Sequence, residues 1–261
     1  MTTPTNIAST NWSGAVITAA SGQSFSTVSA VWKVPTVSQV PIEHHKVSDV
    51  SEWVGIDGFN SADVCQAGIQ ETVRTTANGH TTIHCSAWDE WYPAVSQTIA
   101  ASSFKVNPGD TIQVTVETSG VGATEATFVF NDETTGKTYD GSLTAPHGTS
   151  LQGNSAEVVV ETPEWISGNH VSQPLLSDFV NTPVVFQDVS AIYQGGAAAS
   201  LSSAQSIGMW TDNVPGSYGT YVQEAYGTIQ PAYDSVTVTE NDYWPDDSLH
   251  GNRSFAHDYY F

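Results

Sequence analysis

The residues that could carry chemistry lie in short segments rich in Trp, Gln, Asp and Glu. Successive side chains of a β-strand point to opposite faces, so alternation would group these residues on one face of each segment. If the faces coincide, one sheet surface carries a polar groove lined by aromatic rings. Carboxyl groups there could transfer protons, and an amide could donate and accept hydrogen bonds. The residues that alternation brings to this face are Trp53, Asp57, Gln66, Trp88, Glu90, Glu157 and Glu161.

Other common catalytic and metal-binding patterns are absent from the sequence. There is no GxSxG nucleophile motif, no HExxH zinc motif, and no Asp-Thr-Gly or Asp-Ser-Gly of the pepsin type. His44 and His45 are adjacent and would point to opposite faces of a strand. His80 and His84 share a face but would lie about 13 Å apart. We therefore expect no metal ion and no cofactor.

The dominant pattern along the chain is the β-strand. Apolar and polar residues alternate between segments rich in Gly, Asn and Pro, which predicts antiparallel sheet, and no long helical periodicity is present. Asn78-Gly79 predicts a hairpin turn. Many short strands with frequent turns are typical of a sandwich or barrel. We predict an all-β fold with little helix, in a single domain over residues 1–261. The clearest strand segments are 28–34, 111–117, 126–130, 157–161, 184–189 and 235–239.

The charge balance is strongly acidic. The chain has 27 acidic and 6 basic residues, for a formal net charge of -21 at pH 7. Nucleic acid and anionic membranes are bound through Lys and Arg, so neither is expected as a partner. Near pH 3–4 about half of ordinary carboxylates are protonated, which reduces self-repulsion. Both solubility and adaptation to acid explain this composition, and we favour acid adaptation.

The terminal segments and the two cysteines allow further predictions. Residues 1–10 form an N-terminal arm without a visible signal peptide, and residues 240–261 form an extension whose aromatic end should dock on the body. No apolar stretch is long enough for a membrane helix. Low Lys content and the acidic composition favour a secreted protein. The sequence gives no evidence of oligomerisation, so we expect a monomer. Cys65 and Cys85 are compatible with one disulfide or with two free thiols.

Taken alone, each candidate residue also fits an ordinary structural role. A single Glu on a strand is most often solvated, and tryptophans of β-proteins lie more often in the core than in a cleft. The order of several motifs changes this interpretation. They are NWSGAV at 11–16, VWKVP at 31–35, WVGIDG at 53–58, CQAG at 65–68, AWDEWYP at 87–93, PGDTIQVTVE at 108–117 and AEVVVE at 156–161.

Together these motifs resemble the glutamic peptidases, or eqolisins. The resemblance implies a concanavalin-like sandwich of two roughly seven-stranded antiparallel sheets and an acid endopeptidase insensitive to pepstatin. It also implies that Gln66 and Glu157 are the catalytic pair, with polypeptides as substrates. Cys65, Val158, a longer segment from Gln66 to Trp88, and the C-terminal tail depart from the family pattern. According to the resemblance, the residues that line or support the cleft are Trp12, Trp53, Asp57, Trp88 and Glu90.

The resemblance suggests a mechanism and leaves two alternatives. An ionised Glu157 would take a proton from water and return it to the leaving nitrogen, while Gln66 would stabilise the oxyanion. This order requires neighbouring hydrogen-bond donors to keep the pKa of Glu157 low. A glycosidase using a pair such as Glu90 and Glu157, and a carbohydrate-binding lectin-like sandwich, are the alternatives.

Overall fold

In the computed structural model the chain consists of β-strands with two 3₁₀ turns and no α-helix among the residues described. The structure describes residues 6–40, 46–167, 170–172, 174–179, 181–216 and 219–242. The 3₁₀ turns are Leu201–Ser203 and Pro231–Tyr233. The strands are β1 Asn6–Ser9, β2 Trp12–Thr18, β3 Phe25–Lys33, β4 Val47–Asp57, β5 Val64–Thr75, β6 Thr81–Tyr92, β7 Gln97–Thr98, β8 Thr111–Thr118, β9 Glu125–Asp132, β10 Lys137–Thr144, β11 Ser155–Glu161, β12 Trp165–Ser167, β13 His170–Ser172, β14 Leu175–Leu176, β15 Val184–Tyr193, β16 Gln205–Gly216, β17 Gly219–Gln230 and β18 Ser235–Glu240.

Sixteen strands form one hydrogen-bonded network, which confirms the predicted antiparallel all-β fold. Its order is β10-β9-β8-β3-β15-β18-β17-β16-β2-β11-β4-β5-β6-β7, with β1 beside β16 and β14 beside β4. Those last two pairs are parallel, and β12 pairs with β13 separately. Strand β15 links the two halves, because Val184–Phe186 pair with β18 and the residues from Gln187 onward pair with β3. A bulge after Gln187, with Asp188 at φ 49°, accompanies the change of partner.

The strand segments predicted from alternation are confirmed with small shifts of their ends. Segments 111–117, 126–130, 157–161, 184–189 and 235–239 each lie within a strand, and segment 28–34 exceeds β3 by one residue. The predicted hairpin at Asn78-Gly79 joins β5 to β6, with Gly79 at φ 78°. Part of the N-terminal arm is itself a strand, β1. Residues 243–261 of the C-terminal extension and the pair His44-His45 lie outside the described residues.

The apolar core draws side chains from both ends of the strand order. It includes Trp32 of β3 and Phe130 of β9, together with Ile69 of β5 and Val158 of β11. Burying each such side chain contributes about 1.5–3 kcal/mol. A smaller apolar cluster lies on the face that points away from this core, which is the face that carries the candidate site residues. Its buried members are Val16, Trp53, Trp88, Val159 and Ile207.

The two cysteines are free thiols, which answers the question that the sequence left open. Cys65 lies opposite Trp91 on β6, whereas Cys85 lies opposite Glu71 on β5. The six residue steps from position 65 to position 71 separate the two thiols by about 20 Å along the strands. A disulfide requires Cα atoms within about 7 Å, so these cysteines cannot form one. Among the residues described, no helix has the length and apolar character needed to cross a membrane.

Two glutamates face the apolar core side by side. Glu52 and Glu71 point to the same side of the sheet as Val54 and Ile69, and neither is exposed to solvent. Burial raises the pKa of both carboxyl groups, and their proximity to each other raises that of Glu71 further. A buried carboxyl group of this kind is stable in its protonated form. The core therefore retains protons that the unfolded chain releases.

The buried pair predicts that stability falls as the pH rises. Below the ordinary glutamate pKa of about 4.3 both folded and unfolded chains hold the protons. Above it only the folded chain does, so each group lowers the free energy of unfolding by about 1.4 kcal/mol per pH unit until its own folded pKa is reached. The double variant Glu52→Gln/Glu71→Gln should therefore show a smaller loss of melting temperature between pH 5 and pH 7 than the wild type.

Thermal unfolding followed by circular dichroism at several pH values checks this. Glu125→Gln is the matched control, since Glu125 is exposed on β9. It should keep the wild-type pH dependence. A double variant with the wild-type pH dependence would rule out a contribution from the buried pair.

Candidate active site

Cross-strand register places the candidate catalytic residues in one row. Glu157 of β11 lies opposite Gly55 of β4, and Gly55 lies opposite Gln66 of β5. Gln66 in turn lies opposite Glu90 of β6, and on the other side Val16 of β2 lies opposite Glu157. With adjacent strands about 4.8 Å apart, the Cα atoms of Glu157 and Gln66 are about 10 Å apart across the glycine. Both side chains leave the same face of the sheet.

Two glycines make room for a tryptophan between these side chains. A Cβ atom at Gly55 would lie 2.9 Å from the ring of Trp53 and 3.2 Å from Cβ of Gln66. At Gly68, opposite Trp53, a Cβ atom would lie 2.5 Å from that of the tryptophan. The indole ring of Trp53 therefore occupies the place of a side chain at position 55, and Gly68 leaves room for the Cα and Cβ atoms of the tryptophan. Trp53 is fully buried below the surface of the site.

Gln66 is held by its neighbour on β6. Its Nε2 donates a hydrogen bond of 2.5 Å to Oε2 of Glu90, while its Oε1 has no hydrogen-bond partner among the residues described. Burial raises the pKa of Glu90, and this effect is opposed by the N–H of Gln66 and by the backbone N–H of Ser96. The amide thus has one end held by Glu90, while its other end is buried without a hydrogen-bond partner among the described residues.

Glu157 is fully buried, which differs from the open groove expected from the sequence. Neither carboxyl oxygen accepts a hydrogen bond of normal geometry from the described residues. Burial raises the pKa of Glu157 well above its ordinary value, and the nearby carboxyl group of Asp57 adds to the rise. The Ser155 hydroxyl and the Phe59 backbone oppose it in part. The expectation of a low pKa is therefore wrong, because removal from water outweighs the few donors nearby.

A groove of about 370 Å³ opens beside the row, on the side of Gln66 and Glu90. Glu161 lies on its wall, two residues beyond Val159 on the face of Glu157. Oε2 of Glu161 accepts a hydrogen bond of 2.7 Å from Nε1 of Trp53, and Oε1 accepts one of 3.0 Å from Nδ2 of Asn11. Burial raises the pKa of Glu161 to about 7. The side chains that line the groove include those of Asn11, Trp12, Asp63, Gln66, Gln70, Trp88, Glu90, Tyr92, Glu161 and Glu164.

Asp57 supports the site from below and does not line the groove. Its backbone adopts a left-handed conformation at φ 68°, at the end of β4. Its carboxylate accepts hydrogen bonds from the backbone N–H groups of Gln152, Gly153 and Asn154, at 2.6, 3.0 and 2.7 Å. Those residues lead directly into β11. Asp57 therefore ties the end of β4 to the strand that carries Glu157.

The structure brings part of the predicted set together around the groove. Trp12, Trp88 and Glu90 line the groove with Gln66, whereas Trp53 and Asp57 are buried beneath it. Sequence reasoning grouped Glu161 with this face but assigned it no role. It placed Gly55 on the face of Trp53 and Asp57 without giving it a role. It missed the contacts of Asn11 and Ser51, of which Ser51 accepts a hydrogen bond of 2.9 Å from Nε1 of Trp88. Only the alternation of Glu157 with Glu161 carried a signal for any of these contacts.

The histidines considered as metal ligands lie elsewhere. His80 is exposed in the turn between β5 and β6, and His84 is exposed on β6 opposite Thr72, six residues along β5 from Gln66. Within the described part of the chain, no three His, Cys, Asp or Glu side chains are arranged to hold a metal ion.

A family model described as Peptidase A4 matches residues 10–230 of this chain. The chain belongs to the Peptidase A4, or eqolisin, family. It is accordingly a glutamic peptidase, a hydrolase that acts on peptide bonds, as the motifs suggested. The matched residues include every member of the row from Val16 to Glu157. Membership in this family replaces the two carbohydrate-related alternatives that the sequence alone left open.

Known relatives agree with this assignment. Scytalidopepsin B of Scytalidium lignicola is 32% identical over 196 residues, which are 75% of this chain and 68% of the relative. Aspergillopepsin-2 of Aspergillus niger is 28% identical over 247 residues, or 88% of this chain and 77% of the relative. The crystal structure of scytalido-glutamic peptidase with a transition state analog inhibitor superposes with a TM-score of 0.68 at 25% identity. That match covers 88% of this chain and 98% of the other.

The three hydrogen bonds of Asp57 predict a large effect of a small substitution. Asp57→Asn keeps the left-handed backbone, which Asn tolerates, but replaces one acceptor oxygen by an N–H₂ group that faces backbone donors. Because hydrogen bonds to charged groups contribute about 1.5–3 kcal/mol each, we expect a loss of about 2–4 kcal/mol in the free energy of unfolding. Urea unfolding at pH 5 measures it.

Asp188→Asn is the control for this substitution. Asp188 also has a positive φ, of 49°, but its side chain is exposed. We expect its unfolding free energy to stay within about 0.5 kcal/mol of the wild type. Equal effects of the two substitutions would contradict a supporting role for the Asp57 carboxylate.

Proposed function

We propose that this protein is an acid endopeptidase in which Glu157 and Gln66 act together on a peptide bond bound in the groove. The observation that carries the proposal is the row Glu157–Gly55–Gln66, in which the two side chains leave the same face. Gly55 between them carries no side chain, and the buried ring of Trp53 occupies that place. A carboxyl group for proton transfer and an amide for hydrogen bonding are what hydrolysis by an activated water molecule requires.

In this proposal Gln66 stabilises the developing oxyanion. An amide N–H donates to the oxygen on which negative charge appears when water adds to the peptide carbonyl, and Oε1 accepts a hydrogen bond from the water. Oε1 of Gln66 is a buried acceptor without a partner among the described residues, and this unsatisfied acceptor supports the division of roles. An amide does not titrate, so its donors persist in acid.

Burial changes the order of proton transfers expected from the sequence. Since the pKa of Glu157 is raised, its carboxyl group begins the reaction in the protonated form in acid. We propose that Glu157 gives this proton to the leaving nitrogen and receives one from the attacking water. The C–O bond to water forms, the C–N bond breaks, and Glu157 ends in the form in which it began.

We also propose a two-sheet architecture and an acidic, extracellular working environment for this protein. We propose that the strand network folds back on itself as a sandwich of two sheets, since one apolar core joins β3 and β9 to β5 and β11 from opposite ends of the strand order. The scarcity of Lys and Arg and the net charge of -21 support a secreted enzyme that works in acid.

Substitution of each catalytic residue tests the mechanism. Gln66→Ala should lower kcat by about 100- to 1,000-fold, because it removes the oxyanion donor. Glu157→Gln should lower kcat at least as much, because its amide cannot pass protons. Cleavage of a denatured protein is measured between pH 2 and 7 with pepstatin present, and unfolding curves confirm that each variant is folded.

The matched control is Gln187→Ala, an exposed glutamine on β15 away from the groove. It should keep wild-type activity. The proposed roles fail if a folded Glu157→Gln or Gln66→Ala variant cleaves at the control's rate.

A further inference from the structure

Resting on the proposed function of Gln66, we propose that Glu90 is a positioning residue that selects one of the two orientations of the Gln66 amide. The two residues are direct cross-strand partners on β5 and β6. Nε2 of Gln66 lies 2.5 Å from Oε2 of Glu90, and Oε1 is buried without a hydrogen-bond partner among the described residues. The contact defines which end of the amide lies beside Glu90.

The carboxylate of Glu90 and the amide of Gln66 have hydrogen-bonding properties that favour one amide orientation over the other. An ionised carboxylate only accepts hydrogen bonds, so it stabilises Nε2 beside Glu90 and repels Oε1. In the selected orientation one N–H is bound to Glu90, while the second N–H and Oε1 remain for substrate and water. A rotation of the amide by 180° would turn the acceptor away from the water. An amide without such a neighbour would populate both orientations.

Glu90 has surroundings suited to this task. It is flanked on its own strand face by Trp88 and Tyr92, and the backbone N–H of Ser96 stabilises its charge. The other titratable groups that line the groove are also acidic: Asp63 before β5, Glu161 on β11 and Glu164 after it. No Lys or Arg is among the described residues that line the groove. The N–H of Gln66 is therefore a main stabiliser of the Glu90 charge, and each residue orients the other.

Protonation of Glu90 removes the preference. A neutral carboxyl group both donates and accepts, so it can pair with either end of the Gln66 amide. Glutamine at position 90 has the same property and nearly the same shape at every pH. Glu90→Gln is thus a permanent copy of the protonated wild type, and the two proteins should differ only where Glu90 is ionised.

The test compares kcat of the wild type and Glu90→Gln from pH 2.5 to 6.5. We expect the two values to be equal at the acid end. The wild type should exceed the variant by about two- to tenfold at the upper end, because two equally populated orientations halve the competent fraction and a preference for the wrong one lowers it further. KM should change little. Glu117→Gln, an exposed glutamate on β8, should follow the wild type throughout.

A double-mutant cycle separates this inference from the proposed function. If Glu90 acts through Gln66, adding Glu90→Gln to Gln66→Ala should cause no further loss of kcat. Independent, multiplicative losses would overturn the positioning role while leaving Gln66 in the mechanism, whereas a fully active Gln66→Ala variant would remove the function on which both rest. The positioning role would also be overturned if the ratio of the wild-type kcat to the Glu90→Gln kcat were constant with pH or fell as the pH rose.

Discussion

The pairing of β11 with β4, and of β4 with β5, is the interaction on which the site depends. A slip of one residue in either ladder would turn Glu157 or Gln66 toward the apolar core. Trp53 opposes such a slip, because its ring fits beside Gly55 and its Cβ fits beside Gly68 only where both positions lack side chains. Its indole nitrogen is bound in turn to the next glutamate of β11. A buried aromatic ring thus fixes the relation of three strands and, with it, the separation of carboxyl and amide.

Several carboxyl groups of the described residues are buried away from water. Burial raises the pKa of Glu52 and Glu71 in the core, of Glu157 in the row, and of Glu240 at the end of β18. The groups that act on them are other carboxyls, hydroxyls, indoles and backbone amides, and each shift is dominated by desolvation. In neutral solution each of these buried carboxyl groups destabilises the folded chain, since it must either carry a buried charge or retain a proton that the unfolded chain releases. In acid the proton is supplied by the solvent, so an acid environment favours both the fold and the protonated form of Glu157.

Much of this arrangement could be predicted from the sequence, and the exceptions have physical causes. Alternation alone identified the face of Gln66 and the face of Glu157, because side-chain direction in a strand is a local property. The register between them is not local, since β4 and β11 are separated by about 100 residues and pair through contacts that no periodicity records. Burial was missed for the same reason, and Glu157 was expected in an open groove with a low pKa. The support that Asp57 gives to β11 depends on a left-handed backbone and on three amides far along the chain.

The choice of an amide at position 66 follows from its neighbours. Gln66 lies in one row with Glu90 beside it and Glu157 across Gly55. A third carboxyl group there would raise all three pKa values by mutual repulsion and would offer at most one hydrogen-bond donor when protonated. A lysine would do the reverse: its charge would lower the pKa of Glu157 and hold that group ionised. Glutamine offers two N–H donors at any pH and leaves the protonation of both glutamates to be set by burial. In the proposed mechanism the amide could therefore stabilise an oxyanion without changing the charge on which proton transfer relies.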